Sequence, residues 1–146
     1  MSTRSLWQVG VMVLAVLALI WCATGVKGPS DEELVKSLLT AWKGAILEKN
    51  ADKIMAAYAE SFAHDGYEYQ AANKAALRKF IDECKLAGYF DGLQISLGEA
   101  VTAIKGDTAT ISGIPCTNYQ GTVTIGLTAK KGKAGWLIAD MTIEGL

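Results

Sequence analysis

Residues 6–26 form an uncharged, largely apolar run with Gln8 as its strongest polar interruption, and Lys27-Gly28-Pro29-Ser30-Asp31-Glu32-Glu33 follows it. An apolar stretch of about 20 residues spans the hydrocarbon core of a bilayer when helical. Arg4 is the only charged side chain ahead of it. A basic end kept inside and an apolar run behind it is the layout of a signal peptide or signal anchor. The chain therefore divides into a signal or anchor helix at residues 1–26, a short linker at 27–31 and one domain at 32–146.

Three fates of the apolar segment compete. Kept as a membrane anchor, it places Trp7 and Trp21 near the two interfaces, where amphipathic rings are favoured. Cleaved, it uses the small residues of Ala23-Thr24-Gly25 and leaves Val26 as the first residue. Lipidated, it makes Cys22 the new N-terminus. Leu19-Ile20-Trp21-Cys22 resembles the bacterial lipobox at its first two positions, and Trp21 departs from the small residue that pattern needs. All three fates export the domain. Two leave it membrane-anchored on the extracytoplasmic side, and cleavage leaves it secreted or periplasmic.

Charge excludes several partners. Fourteen Lys and Arg against fifteen Asp and Glu give a net charge of −1. The densest basic cluster, Lys130-Lys131-Gly132-Lys133, reads as a solvated hairpin tip. No basic stripe with interleaved aromatics supports nucleic-acid binding. A single His argues against a His-based zinc or iron site. Gly106-Asp107 and Gly132-Lys133 lack a P-loop or dinucleotide fingerprint, so no cofactor is expected.

The first half of the domain carries helical periodicity. Ser30-Asp31-Glu32-Glu33 has the pattern of a capping box. Leu34, Leu38, Trp42, Ala45 and Ile46 then predict a helix to about Glu48. Asn50 or Asp52 caps a second helix with Ile54, Met55, Tyr58 and Phe62 on its apolar stripe. Residues 63–69 read as extended, with a turn at His64-Asp65-Gly66. Asn73 caps a third helix whose buried side carries Leu77, Phe80, Ile81 and Cys84, and Gly88 ends it.

The second half alternates. Residues 93–105, 108–114, 122–129 and 136–144 predict four antiparallel strands covered on one face. Ala109, Ile111 and Gly113 share a face, as do Val123, Ile125, Leu127 and Ala129. In the last strand, Leu137, Ala139, Met141 and Ile143 form the cleaner apolar set. Asp140 then falls on the opposite face with Trp136, Ile138, Thr142 and Glu144. The Thr-rich faces point away from the helices, toward solvent or a second copy.

Residues 45–62, Ala-Ile-Leu-Glu-Lys-Asn-Ala-Asp-Lys-Ile-Met-Ala-Ala-Tyr-Ala-Glu-Ser-Phe, resemble a segment of the nuclear-transport-factor-2-like superfamily. This superfamily is also called SnoaL-like, or the cystatin-like α+β roll. Asn73-Lys74-Ala75-Ala76-Leu77-Arg78 is similar to the start of that family's third helix without its glycine. Trp136-Leu137-Ile138-Ala139-Asp140-Met141 resembles its last strand. The resemblance covers the whole domain. It implies an α+β fold: a cone-shaped roll of three helices on a curved antiparallel sheet, enclosing an apolar pocket.

The same resemblance implies candidate site residues. Isomerase-type members use a carboxylate base, and Asp65 falls near that position beside His64. The family's donor tyrosine falls at Trp42, whose N–H donates but transfers no proton. No carboxylate stands in the 123–129 strand for the second acid. The alternative for His64 and Asp65 is a plain turn. Trp42, Tyr58, Phe62, Tyr67, Tyr119 and Asp140 are the candidate pocket-lining residues, and core packing is the competing role for the aromatics. Cys84 and Cys116 could form a disulfide in an oxidising compartment or remain free thiols.

The residues favour a non-catalytic exported binding module with an apolar small molecule or a protein as partner. A SnoaL-type isomerase or dehydratase and a structural homodimer through the outer sheet face are the alternatives.

Overall fold

The computed structural model describes residues 28–145. The apolar segment at 6–26, its cleavage site and Cys22 lie outside the described residues. Among the described residues, no helix is long and apolar enough to cross a membrane.

Helix α1 (Asp31–Leu47) opens with Asp31, Glu32 and Glu33, which suit the positive end of a helix dipole. It buries Val35, Leu39, Trp42, Ala45 and Ile46. The expected stripe was Leu34 and Leu38 in the first turns; Leu34 is exposed and Leu38 half-buried. Leu34-Val35 and Leu38-Leu39 form two adjacent apolar columns, and packing selects the second. The helix ends with Lys49 at φ 55. There Lys49 N–H bonds the Ile46 carbonyl and Asn50 N–H bonds that of Ala45, a Schellman closure built without glycine.

Asn50 caps α2 (Ala51–Ala56) through its side chain and the Lys53 N–H. The expected second helix reached Phe62; the observed one stops at Ala56. The chain leaves the helix to follow the edge of the last strand, β7 (Gly135–Glu144). Ala57 carbonyl accepts from Ile138 N–H at 2.9 Å, and Ala59 N–H donates to Ile138 carbonyl at 2.8 Å. Tyr58 and Phe62 stay fully buried despite lying outside the helix.

A short antiparallel pair follows, β1 (His64–Asp65) with β2 (Gln70–Ala71). Helix α3 (Lys74–Leu86) is capped by Asn73, whose side chain accepts from Ala76 N–H at 2.9 Å. The stretch expected as one strand over 93–105 divides into β3 (Gln94–Ile95), a 3-10 turn at Leu97–Glu99 and β4 (Val101–Lys105). β3 and β4 pair with opposite ends of the same edge of β5 (Thr108–Asn118). β6 (Gly121–Gly132) joins β5 to β7, so the antiparallel sheet runs β3-β5-β6-β7 with β4 beside β5.

Two bulges correct the expected faces. The β5–β6 register shifts between Ile111 and Ile114. Gly113 stands there at φ 73, and Ile114 takes the buried position expected for Gly113. The β6–β7 register shifts at Ala139: Thr128 faces Asp140, while Ala129 faces Ile138. Trp136 and Ile138 before the bulge and Met141 and Ile143 after it therefore all face the core. Strict alternation had placed Trp136 and Ile138 outside. An extra residue bends its strand, so these bulges curve the sheet around α1 and α3.

Two glycine substitutions should move stability in opposite directions. Gly113→Ala places a side chain at φ 73 and should lose about 1–2 kcal/mol. Gly44 lies in α1, and a Cβ there meets nothing within 4 Å. Gly44→Ala should gain roughly 0.5–1 kcal/mol. Urea denaturation of both variants, with equal m-values, would check the pair.

Candidate functional site

Helices and sheet enclose a cavity of about 600 Å³. α1 supplies Trp42 and Ile46, and α2 supplies Ile54. α3 supplies Phe80, Ile81 and Cys84 because its apolar positions recur at three- and four-residue spacing. After Gly88, whose φ of 79 turns the chain, Tyr89, Phe90 and Leu93 close one wall. The antiparallel register pairs Ile95 with Cys116 and Cys116 with Val123, bringing three strands to the opposite wall. Met141 and Ile143, turned inward by the bulge, complete it.

The inner end is chemically closed. Trp42 Nε1–H donates to the Tyr58 hydroxyl at 2.9 Å, and that hydroxyl donates to Met141 Sδ at 3.3 Å. Burial pushes the Tyr58 pKa well above the usual tyrosine range. The indole N–H is thus already bonded, and the phenol holds its proton. Tyr58 lies behind the wall rather than in it, with Phe62 packed edge-on at 5.3 Å.

The mouth is polar and neutral. Asn118 Nδ2–H donates to the Tyr89 carbonyl at 2.9 Å, and its Oδ1 accepts from Gln120 N–H at 2.8 Å. Asn118 therefore ties the loop after α3 to the β5–β6 turn. Thr122 Oγ1 lies 2.8 Å from Thr117 Oγ1. Among the described residues that line the cavity there is no Asp, Glu, Lys, Arg or His.

The titratable candidates gather elsewhere. His64 Nδ1 lies 2.7 Å from Asp140 Oδ1, which also accepts from Met141 N–H at 2.8 Å. The His64 ring stacks on Tyr69 at 4.4 Å, and Tyr69 stacks on Phe80 at 4.7 Å. Tyr69 hydroxyl donates to the Met141 carbonyl. Gly66 is required here, since a Cβ at that position would sit 2.1 Å from His64 Nε2. This group fastens the β1–β2 hairpin to β7 beside the bulge. Of the His64, Tyr69, Phe80 and Asp140 side chains, that of Phe80 reaches the cavity wall.

Of the expected pocket residues, Trp42 lines the cavity. Tyr58 and Phe62 pack in the core, because leaving α2 early carries them behind Trp42. Tyr67 and Tyr119 are exposed at turn tips. Asp140 turns to His64 rather than to the cavity. Asp65 is exposed in β1 and accepts from Gln70 Nε2–H at 3.2 Å, not from the backbone near Gly66. His64 is largely buried against Asp140 and Tyr69 rather than exposed, so neither the base nor the plain-turn expectation describes the pair. Cys84 and Cys116 both line the cavity as free thiols, one from the helix layer and one from the sheet. Burial pushes each thiol up to about 11.

Sequence reasoning missed the mouth residues Asn118, Gln120 and Thr122 and the wall residues Phe90 and Leu93. An apolar Tyr89-Phe90-x-x-Leu93 cluster just past a helix stop was the available signal for the wall. The His64–Asp140 contact joins residues 76 apart and had no local signal.

No family model matches the sequence, and no curated relative matches it. Solved structures do. A cystatin-like-fold protein of unknown function from Nostoc punctiforme superposes with a TM-score of 0.64 at 18% identity, covering 77% of this chain and 89% of that one. A nuclear-transport-factor-2-like protein of unknown function from Pseudomonas putida gives 0.64 at 16% identity, over 82% and 90%. A protein of the same fold from Streptomyces avermitilis, described as a candidate dehydratase, gives 0.59 at 14% identity, over 78% and 95%. The chain has the nuclear-transport-factor-2-like, cystatin-like α+β roll fold. Fold likeness at this identity carries no function with it.

The thiols generate a pH prediction. They ionise near 9.0 in an exposed chain and near 11 in the folded one. A raised pKa means that the folded state holds the proton more tightly. The stabilisation is complete below pH 9 and is lost as pH rises toward 11. The urea midpoint should fall across that window, and less so in Cys116→Val. At pH 8 the folded thiols hold a roughly hundredfold smaller thiolate fraction, offset about tenfold by the greater nucleophilicity of the thiolate that remains. Iodoacetamide should therefore label both at least roughly ten times more slowly than in urea-unfolded chain.

Proposed function

We propose that this chain is an exported, membrane-tethered binding module that holds an apolar small molecule and performs no chemistry on it. The observation that carries the reading is the cavity of about 600 Å³ with no charged lining residue among those described. Its volume lies in the range of about 300–1,000 Å³ that suits drug-sized ligands. General acid–base catalysis needs a titratable group within hydrogen-bond reach of the reacting atom. Asp65, His64 and Asp140 lie outside the lining, and Trp42 already donates to Tyr58. That weighs against the isomerase and dehydratase alternatives.

The tether rests on the apolar run at residues 6–26 with Arg4 ahead of it. A second copy on the Thr-rich outer face of the sheet is a further partner that the same measurement reads.

Native mass spectrometry of the full chain released from detergent tests the reading. The expected spectrum shows a chain of unprocessed or lipidated mass carrying a non-covalent small-molecule adduct. Val123→Trp fills the cavity wall and should weaken adduct retention by about tenfold or more, the scale of a lost apolar contact. Asp65→Asn should retain the adduct unchanged. A chain that never carries a ligand, as purified or after incubation with cell lipid extract, would count against the binding module. Ligand turnover lost in Asp65→Asn would restore the enzyme reading.

A further inference from the structure

The charge pattern around the cavity narrows its ligand. The polar side chains that line the mouth are neutral, Asn118, Gln120 and Tyr89, while the Thr122 hydroxyl bonds Thr117 on the outer face of the sheet. The nearest ionic groups differ from what an anionic head would need. Asp91 folds back over the loop, with Oδ2 3.2 Å from the position a Gly88 Cβ would take, and its charge is paired with Lys49. A carboxylate or phosphate drawn into this mouth would lose water, meet no cation in the lining and find the Lys49 ammonium already paired with Asp91, and an unpaired ion is costly to bury. An alcohol or carbonyl head loses far less and finds neutral partners.

We propose that the cavity selects an uncharged amphiphile, an apolar body of drug-like size with one neutral hydroxyl or carbonyl head seated at Asn118 and Gln120. This rests on the binding-module reading and goes beyond it by excluding fatty acids, phospholipids and organic cations as ligands. The body fits the apolar depth between Phe80, Ile81 and Ile125. The head stays at the end where the strands emerge to solvent. Selection against anions comes from the missing cation rather than from any steric gate.

The test uses the full chain in phosphatidylcholine nanodiscs, with the neutral fluorophore N-phenyl-1-naphthylamine as the displaced probe. Dodecanol, dodecanoate and dodecyltrimethylammonium share one chain and differ only in head charge. The signal that Val123→Trp abolishes is the cavity's own. Dodecanol should displace the probe at a concentration at least about tenfold lower than either ion, the equivalent of about 1.4 kcal/mol. Val123→Lys supplies the missing cation at the wall and should shift the preference toward dodecanoate by about tenfold, since a paired charge is far cheaper to bury. Dodecanoate binding within threefold of dodecanol in the unsubstituted chain would overturn the selectivity while leaving a binding module. Preference for dodecyltrimethylammonium would also overturn it and would point to the Trp42, Phe80, Tyr89 and Phe90 rings as a cation cage. Absence of any cavity-dependent probe signal would overturn the module and the selectivity together.

Discussion

The exposed edge of β7 is closed by its own chain, and the rest of the domain depends on that closure. An open strand edge invites pairing with another molecule. Here Ala57, Ala59 and Ala63 bond to Ile138 and Ala139 along that edge, in bonds of 2.8 to 3.3 Å. Tyr69 adds a bond to the Met141 carbonyl just beyond. The segment after α2 cannot be helical and make these bonds at once. Stopping at Ala56 drops Tyr58 into the core, where its hydroxyl links Trp42 of α1 to Met141 of β7. One edge interaction therefore fixes the helix end, the inner hydrogen-bond chain and the floor of the cavity.

The bulge at Ala139 belongs to the same arrangement. It turns Asp140 out toward His64 and Met141 in toward Tyr58. Without the extra residue, one strand could not carry Ile138 and Met141 on a single face, since successive side chains alternate. A carboxylate and a cavity-lining thioether therefore stand next to each other in sequence and in different environments. The ionisable group stays wet and paired; the apolar one becomes pocket wall. That partition keeps the carboxylate of Asp140 and the imidazole of His64 out of the cavity, whose titratable lining residues are Cys84, Cys116 and Tyr89.

The roll is a fold on which unrelated activities occur, and the similar solved structures include proteins of unknown function and a candidate dehydratase. What distinguishes one roll from another is what lines the cone. In this one, the lining is aromatic and aliphatic side chains with thiols whose pKa is raised by burial and neutral amides at the rim. Raised thiol pKa values make Cys84 and Cys116 poor nucleophiles, so they act here as small apolar wall residues.

Local chemistry in the sequence determined a good deal. Asn50 and Asn73 cap helices by side-chain bonds to the backbone three residues on, a signal that needs no tertiary context. Val123, Ile125, Leu127 and Ala129 mark one face of β6 because strand side chains alternate. Those signals, with the order of helices and strands, carried the α+β class, and the resemblance of residues 45–62 and 136–141 to the family implied the roll. Tertiary structure alone decided the rest. Which of two apolar columns of α1 is buried depends on the curved surface it meets. The bulges at Gly113 and Ala139 reverse the faces predicted for Ile114, Trp136 and Ile138, because one extra residue shifts everything after it and leaves no mark in local periodicity. The partners Trp42 with Tyr58, and His64 with Asp140, lie 16 and 76 residues apart and meet only when the edge of β7 is closed.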